Sequence, residues 1–277
     1  MNAQNSRRNY CSAPTVAVYK FSSCDGCQLS ILNLEDELLD LAGAIEIAFF
    51  LEATSRVLPG PYDVAIVEGS ITTPHEVERI GEIRRDAKIL IALGTCATAG
   101  GIQALKNYSK VTDLAQMVYP HPEYLHTLET STPITEHVKV DMELWGCPVN
   151  KYQVVEVIAA LLQKRKPMLP THAVCLDCKR KGYACVLVDS GILCLGPVTR
   201  TGCGALCPTS GRGCYGCFGP SPDANLPALV PVLQSLEKQP GETLRLLRHI
   251  SSYAPKFREA ANAIAELLFP ELPFRSR

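Results

Sequence analysis

Cysteine thiols are the side chains of this sequence whose number and spacing best suit a chemical function, namely the binding of metal. Thirteen are present, and eight of them lie in one stretch of the second half: Cys175, Cys178, Cys185, Cys194, Cys203, Cys207, Cys214 and Cys217. Four thiolates close together bind either a tetrahedral zinc ion or a cubane iron–sulfur cluster. Eight therefore indicate two metal centres near each other. One centre alone could be a structural staple, but two adjacent centres suggest a path for electrons.

The elements that must position these thiols begin with a series of predicted strands. Runs of β-branched, aromatic and apolar residues predict strands over residues 14–21, 45–51, 62–67, 88–93 and 138–144. Apolar residues at helical spacing predict helices over 28–41, 74–86 and 149–163. Strands that alternate with helices favour an α/β fold with a doubly wound parallel sheet of the flavodoxin type.

Four further cysteines follow these predicted strands. Cys24 and Cys27 come after the first strand, Cys96 after the fourth and Cys147 after the fifth. In a doubly wound sheet, sites form outside the carboxyl ends of the strands. We therefore expect these four thiols to meet as a third four-thiolate site. Three such sites use twelve cysteines and leave Cys11, which we expect to be a free thiol in a polar tail.

Composition changes along the chain predict four segments. They are a polar tail over residues 1–13, a flavodoxin-like domain with the third site over 14–166, a two-cluster cysteine-rich domain over 167–222 and a helical C-terminal cap over 223–277. A basic, proline-containing linker at 163–167 separates the first two domains. Apolar patterning predicts cap helices over 226–236, 242–250 and 256–268.

Charge and hydropathy argue against several classes of function. The formal net charge is −1, which gives no support for binding nucleic acid or an anionic membrane through bulk charge. No run approaches the roughly 18 apolar residues of a membrane span, so we expect no direct membrane insertion. The Arg7-Arg8 pair is followed by no hydrophobic export region. A cytoplasmic protein with reduced, metal-binding cysteines is therefore predicted.

Zinc is the main alternative to iron–sulfur clusters. Zinc ligands usually come as two close pairs, whereas Cys185 and Cys194 each stand alone. Cysteine followed by proline, as at Cys147 and Cys207, also occurs in cluster-binding loops. A site spread over separate strand ends suits a cluster at the edge of a sheet. These features favour clusters, with a zinc-stapled structural protein retained as an alternative.

Three other features of the sequence have more than one interpretation or no matching motif. The glycine-rich residues 94–101 match no phosphate-binding motif, and we interpret the glycines as giving the backbone room to approach a cluster. The run Lys179-Arg180-Lys181 either offsets cluster charge, docks an acidic redox partner, or is a solvated loop. Glu68 ends a predicted strand at the edge of the cysteines, and we favour a satisfied carboxylate at a subunit contact over a proton relay.

Several motifs in combination resemble the small subunit of nickel–iron hydrogenases. They are Cys24-x2-Cys27, Gly94-Thr95-Cys96-Ala97 with Gly100-Gly101, Gly146-Cys147-Pro148, and Cys194-Leu195-Gly196-Pro197-x-Thr199 before Cys203. The sequence is most similar to the cytoplasmic branch with the sulfhydrogenase delta subunit and the methyl-viologen-reducing hydrogenase small subunit. The 20-kDa subunit of respiratory complex I shares the fold, but its adjacent cysteines and single cluster do not match this sequence.

The resemblance implies three 4Fe–4S clusters and a ligand set for each. The proximal ligands would be Cys24, Cys27, Cys96 and Cys147, the medial ligands Cys203, Cys207, Cys214 and Cys217, and the distal ligands Cys175, Cys178, Cys185 and Cys194. Membrane-bound relatives often have a histidine as the first distal ligand and a proline at one medial position. Here Cys175 and Cys207 occupy those positions, which implies four irons in every cluster.

The resemblance also implies the function and the partners. The chain would be an oxidoreductase subunit in H2 oxidation or evolution, without catalytic residues of its own. A large subunit would hold the nickel–iron site, because no thiolates are left here to bind it. A diaphorase-type partner with flavin or iron–sulfur centres would reduce NAD(P) or another soluble acceptor. A stand-alone ferredoxin-like carrier is the other alternative, but it would not need the long segment 103–135 as a docking surface.

Overall fold

The computed structural model describes residues 13–35, 37, 39 and 43–270. Cys11 lies outside these residues, so its free thiol stays a prediction. Residues 271–277 of the predicted C-terminal segment also lie outside them. Within the part of the chain that the structure describes, no helix is both long and apolar enough to cross a membrane.

The centre of the fold is a five-stranded parallel sheet. Its strands are β1 (Thr15–Lys20), β2 (Glu46–Phe50), β3 (Tyr62–Glu68), β4 (Ala87–Leu93) and β5 (Met142–Leu144), in the order β2-β1-β3-β4-β5. This is the strand order of flavodoxin-type sheets. The predicted α/β fold is confirmed, and the first four strands lie within about two residues of their predicted bounds.

Alternating side chains of β1 show how the sheet is buried on both faces. Val16 and Val18 pack in one apolar cluster, while Ala17 and Tyr19 pack in another. Successive side chains of a strand point to opposite faces, so each cluster fills one side of the sheet. Helices cover both sides, and this leaves the carboxyl edge as the place where loops can form a site.

The fifth strand is shorter than predicted. It covers three residues instead of the seven of 138–144, and its ladder pairs only with Ile91–Leu93. Val138 and Val140 instead pack as partly buried side chains against the core. The chain reaches the sheet at Asp141, whose N–H donates to Leu90 O at 2.9 Å and whose carboxylate accepts the Leu90 N–H at 2.8 Å. The Asp141 side chain therefore takes the place of a backbone carbonyl as the acceptor for the Leu90 N–H at this end of the β4–β5 pair.

Eleven α-helices have both of their ends within the described residues. They are α1 (Gly26–Leu32), α2 (Pro74–Asp86), α3 (Gly94–Ala99), α4 (Val111–Val118), α5 (Lys151–Leu162), α6 (Val174–Arg180), α7 (Val186–Asp189), α8 (Leu206–Thr209), α9 (Leu226–Ser235), α10 (Glu242–Leu247) and α11 (Pro255–Leu268). Thr73 is the N-cap of α2 and forms a capping box with Glu76. α1 begins two residues before its predicted start, so that Cys27 lies in its first turn, and part of the predicted remainder falls on residues outside the description.

The three cap helices pack as a unit on the rest of the molecule. α10 ends at Leu247, three residues before its predicted end. Leu233 of α9 and Phe257 of α11 share an apolar cluster with Trp145 and Leu195, which flank cysteines. The hydroxyl of Ser251 also donates to Gly216 O at 2.8 Å. The cap therefore closes over the cysteine-rich segment, although the domain boundaries themselves stay a prediction.

Candidate metal centres

Four thiols lie at the carboxyl edge of the sheet, and we call them the sheet-edge group: Cys24, Cys27, Cys96 and Cys147. They lie in the loop after β1, in α1, in α3 and directly after β5. Burial raises the pKa of Cys96 to about 11, and the nearby Cys147 and Cys24 thiols also raise it. The pKa of Cys27 is raised in the same way by burial, with Cys96 and Cys147 as neighbours. The structure therefore brings together four thiols that are far apart in sequence.

Glycines let the backbone approach two of these sulfurs. Gly94 has a φ of +82°, and a Cβ added there would overlap the Sγ of Cys27. Gly101 has a φ of +64°, and a Cβ added there would lie 2.5 Å from the Sγ of Cys96. Glycine adopts these left-handed conformations without a steric penalty. The close approach agrees with the interpretation of 94–101, and Gly94–Ala99 form the short helix α3.

Glu68 binds the start of α1 from inside the protein. It ends β3, is 1% exposed, and its carboxylate accepts the N–H of Cys27 at 3.1 Å and of Gln28 at 3.3 Å. Burial raises the pKa of this carboxyl. The hydrogen bonds satisfy the carboxylate within the chain and fix the turn that contains Cys27. A location of Glu68 at a contact between subunits stays a prediction.

Gln103 is a residue near the sheet-edge group that the sequence reasoning missed. Its Nε2 donates to Ser22 O at 2.6 Å, and its Oε1 lies 3.5 Å from the Sγ of Cys96. The only sequence signal is its position two residues after the Gly100-Gly101 pair. Such a signal does not say which way a glutamine side chain points.

A second set of thiols, the outer group, is Cys175, Cys178, Cys185 and Cys194. Cys175 and Cys178 lie on α6, Cys185 precedes α7, and Cys194 follows in a loop. Burial raises the pKa of Cys175 to about 11, and the other three thiols of the group raise it further. The buried Cys194 sulfur accepts the backbone N–H of Gly196 at 3.4 Å and of Cys214 at 3.2 Å.

A third set of thiols, the central group, is Cys203, Cys207, Cys214 and Cys217. Burial raises the pKa of Cys217 to about 12, with Cys203 and Cys207 as neighbouring thiols. Cys214 is buried, and its pKa is also raised by burial. The hydroxyl of Thr95, next to Cys96 in α3, donates to Cys217 O at 2.6 Å. The central group is therefore attached directly to the element that positions the sheet-edge group.

The central group adjoins both of the other groups. Cys194 of the outer group is near enough to Cys207 and Cys214 of the central group to raise the pKa of both. At the other end, the pKa of Cys217 in the central group is raised in the same way by Cys147 of the sheet-edge group. Hydrogen bonds show the same adjacency: the Cys214 N–H donates to the Cys194 sulfur at 3.2 Å, and the Thr95 hydroxyl, next to Cys96, donates to Cys217 O at 2.6 Å. The central group therefore lies next to both of the other groups.

The donor chemistry of the three groups suits iron–sulfur clusters. Each group offers four thiols, and burial opposes their ionisation unless a cation compensates the charge. Iron binding supplies that charge and requires the thiolate form. Backbone and amide N–H groups near the Cys194 and Cys96 sulfurs are donors of the type that clusters use. Among the described residues, no three His, Cys, Asp or Glu side chains are arranged to hold a single metal ion.

Cations surround the outer and central groups. Lys179, Arg180 and Lys181 are exposed at the end of α6, and Arg212 is exposed near Cys207. Lys181 also donates to Gly204 O, which links α6 to the central group. The predicted basic run is therefore at the surface, beside thiols, in the position that both of its functional interpretations require.

Comparison with known proteins places these features in a family. Residues 24–161 match the family model of NADH ubiquinone oxidoreductase, 20 Kd subunit. The delta subunit of sulfhydrogenase 2 from Pyrococcus furiosus is 40% identical, over 80% of this chain and 92% of that protein. A subunit of the vhu F420-non-reducing hydrogenase from Methanocaldococcus jannaschii is 36% identical, over 75% of this chain and 82% of that protein.

A solved structure agrees with these relatives. It is a chain of an NAD+-reducing [NiFe]-hydrogenase in the H2-reduced state, 30% identical, with a TM-score of 0.52. The match covers 57% of this chain and 95% of that chain. The predicted resemblance is thus confirmed at the level of sequence and of fold. The chain belongs to the family of the 20 kDa subunit of NADH ubiquinone oxidoreductase and is, within it, a small subunit of a nickel–iron hydrogenase.

Proposed function

We propose that this subunit conducts electrons through three 4Fe–4S clusters between the nickel–iron site of a large subunit and a second redox partner. The observation that supports this most is that hydrogen bonds join the central group to its two neighbours, from Thr95 beside Cys96 to Cys217 O at 2.6 Å and from the Cys214 N–H to the Cys194 sulfur at 3.2 Å. In this proposal the sheet-edge group binds the proximal cluster, the central group the medial cluster and the outer group the distal cluster. The assignment uses twelve of the thirteen cysteines.

The roles of the chain's own residues follow from their surroundings. The clusters, when bound, supply one-electron chemistry. The cysteines hold them, the apolar cap excludes water, and nearby N–H groups stabilise charge on sulfur. H2 oxidation in the large subunit would release two protons and two electrons, and the sheet-edge cysteines would hold the cluster that accepts these electrons first. Electron flow in the reverse direction is equally allowed.

The partner at the outer group is proposed to be a diaphorase-type subunit with flavin or iron–sulfur centres. One support is the solved relative, which belongs to an NAD+-reducing hydrogenase. The acceptor would then be NAD(P) or another soluble molecule. We also place the complex in the cytoplasm, where free thiols stay reduced and available for clusters.

Metal and sulfide analysis tests this function. The chain is purified anaerobically from its native host, together with whatever subunits accompany it. About twelve iron and twelve sulfide per chain are expected, because each of three clusters has four of each. Nickel is expected in a larger co-purifying subunit.

Two results would overturn the proposal. Two or three zinc ions per chain, without iron and without a nickel partner, would identify the cysteines as structural zinc ligands. Iron and sulfide in a chain that purifies alone, without a larger subunit, would identify a stand-alone electron carrier.

Charge reversal at Lys179 tests the docking role of the basic run. In Lys179→Glu we expect the electron-accepting partner to associate up to about tenfold more slowly at low salt, because a charge at the rim of an interface acts mainly on the association rate. Stopped-flow reduction of the partner, at low and high ionic strength, measures this. The difference from wild type should shrink as salt screens the charges.

Lys238→Glu is the matched control, because Lys238 is exposed and follows α9 in the cap, in a segment distant from the cysteines in sequence. It should leave the association rate unchanged, and both variants should reduce a small viologen dye at the wild-type rate. A defect of Lys179→Glu that is equal at every salt concentration and extends to the dye would instead indicate that Lys179 acts on a cluster.

A further inference from the structure

The side chain of Gln103 bridges two of the segments that build the sheet-edge group. Its Nε2 donates to Ser22 O at 2.6 Å, and Ser22 lies two residues before Cys24. Its amide also lies against the Cys96 sulfur, with Oε1 at 3.5 Å and Nε2 at 3.6 Å. One side chain therefore joins the loop of Cys24 to the thiol of Cys96.

The bond to Ser22 determines the orientation of the amide. A carbonyl oxygen only accepts hydrogen bonds, so the nitrogen end of Gln103 must face Ser22 O. The amide nitrogen has a second hydrogen, and the Cys96 sulfur lies within its reach. A thiol at Cys96 can donate to Oε1, whereas a thiolate can only accept, and the accepting form is the one that binds iron.

The backbone around Gln103 is shaped to permit this contact. Gly101 has a φ of +64°, and a Cβ there would lie 2.5 Å from both the Cys96 Sγ and the Gln103 Oε1. Any larger residue would push the sulfur and the amide apart. Gln103 is the second residue of a 3-10 helix, Ile102–Tyr108, that begins directly after Gly101. Gly101 thus makes room for a contact between two particular side chains.

We infer that Gln103 is a positioning residue that donates a hydrogen bond to the Cys96 thiolate and raises the reduction potential of the cluster at the sheet-edge group. This inference rests on the proposed function. Reduction adds negative charge to a cluster and its thiolates, and an N–H donor at sulfur stabilises that charge. Loss of the donor therefore lowers the potential of this cluster and leaves the central and outer clusters unchanged.

The test uses the complex of this chain with its large subunit and two variants. Gln103→Met keeps an unbranched side chain of similar length but has no donor, and Gln103→Glu keeps the shape but places a negative carboxylate beside the sulfur. Gln234→Met on α9, at an exposed position, is the control. The potential of each cluster is measured by a redox titration followed by electron paramagnetic resonance, together with iron per chain.

We expect one cluster of three to shift to a lower potential in Gln103→Met and further in Gln103→Glu, with about twelve irons retained. Loss of about four irons in Gln103→Met would show that Gln103 is needed to hold the cluster, and would overturn the inference that it acts on the potential. Unchanged potentials in both variants, or equal shifts of all three clusters, would overturn the inference. A wild-type complex without cluster signals would instead overturn the proposed function.

Discussion

Replacement of Cys96 by alanine is expected to remove about four of about twelve irons and to stop electron flow through the subunit. Cys96 lies near Cys24 and Cys147 of the sheet-edge group, and its sulfur is 3.5 Å from the Oε1 of Gln103, so its loss leaves the proximal cluster with three thiolates. H2-dependent reduction of the soluble acceptor should fall by more than about a hundredfold. Loss of a supporting contact costs only roughly 10- to 100-fold. Iron analysis and acceptor assays on the purified complex measure both effects.

The control for this experiment is the variant Cys11→Ala, because Cys11 is the one cysteine outside the three groups. It should keep the full iron content and the full activity. The large subunit can also exchange the atoms of D2 gas with protons of water, and this isotope-exchange activity needs no exit of electrons. It should therefore survive in Cys96→Ala if the complex still assembles. Full acceptor reduction in Cys96→Ala would show that electrons do not pass the sheet-edge group.

Replacement of Gly94 by alanine is expected to destroy the same site by a different mechanism. The added methyl group would overlap the Cys27 sulfur and would also lie 3.4 Å from Gly146 O, so it has a backbone atom close by as well. The left-handed φ of +82° adds about 1–2 kcal/mol of strain for any residue with a Cβ. Loss of about four irons is therefore expected, with the electron paramagnetic resonance signal of one cluster missing.

Gly182→Ala separates the two causes, because Gly182 has a similar φ of +71° but no atom within 4 Å of an added Cβ. It should introduce the backbone strain alone, with a small loss of stability in thermal denaturation and a full set of clusters. If Gly94→Ala bound as much iron as Gly182→Ala, the close approach at Cys27 would have no role in holding the cluster.

Sequence patterns were sufficient for the sheet and for the first of the three groups. Alternating apolar strands and helices predict a parallel sheet, and a parallel sheet places the ends of β1, β4 and β5 at one edge. The meeting of Cys24, Cys96 and Cys147 follows from that topology, before any contact is known. Local chemistry was equally informative at α2, where Thr73, Pro74 and Glu76 specify the start of a helix.

The tertiary structure decided features that depend on contacts between distant residues. The order of the three groups rests on neighbours such as Cys217 and Cys147, and on the bond from Thr95 to Cys217 O, whose residues are 122 positions apart. Neither spacing nor periodicity encodes such a pair.

The same holds for Glu68 and Gln103, which from sequence are only polar residues near a strand end and a glycine pair. Their roles depend on which backbone and sulfur atoms they reach. Those atoms come close only when the loops fold over the sheet edge. The sequence by itself therefore determined the fold and the supply of thiols. Packing decided the order of the groups and the hydrogen bonds around them, because hydrogen bonds act over about 3 Å and depend on the final positions of the chain.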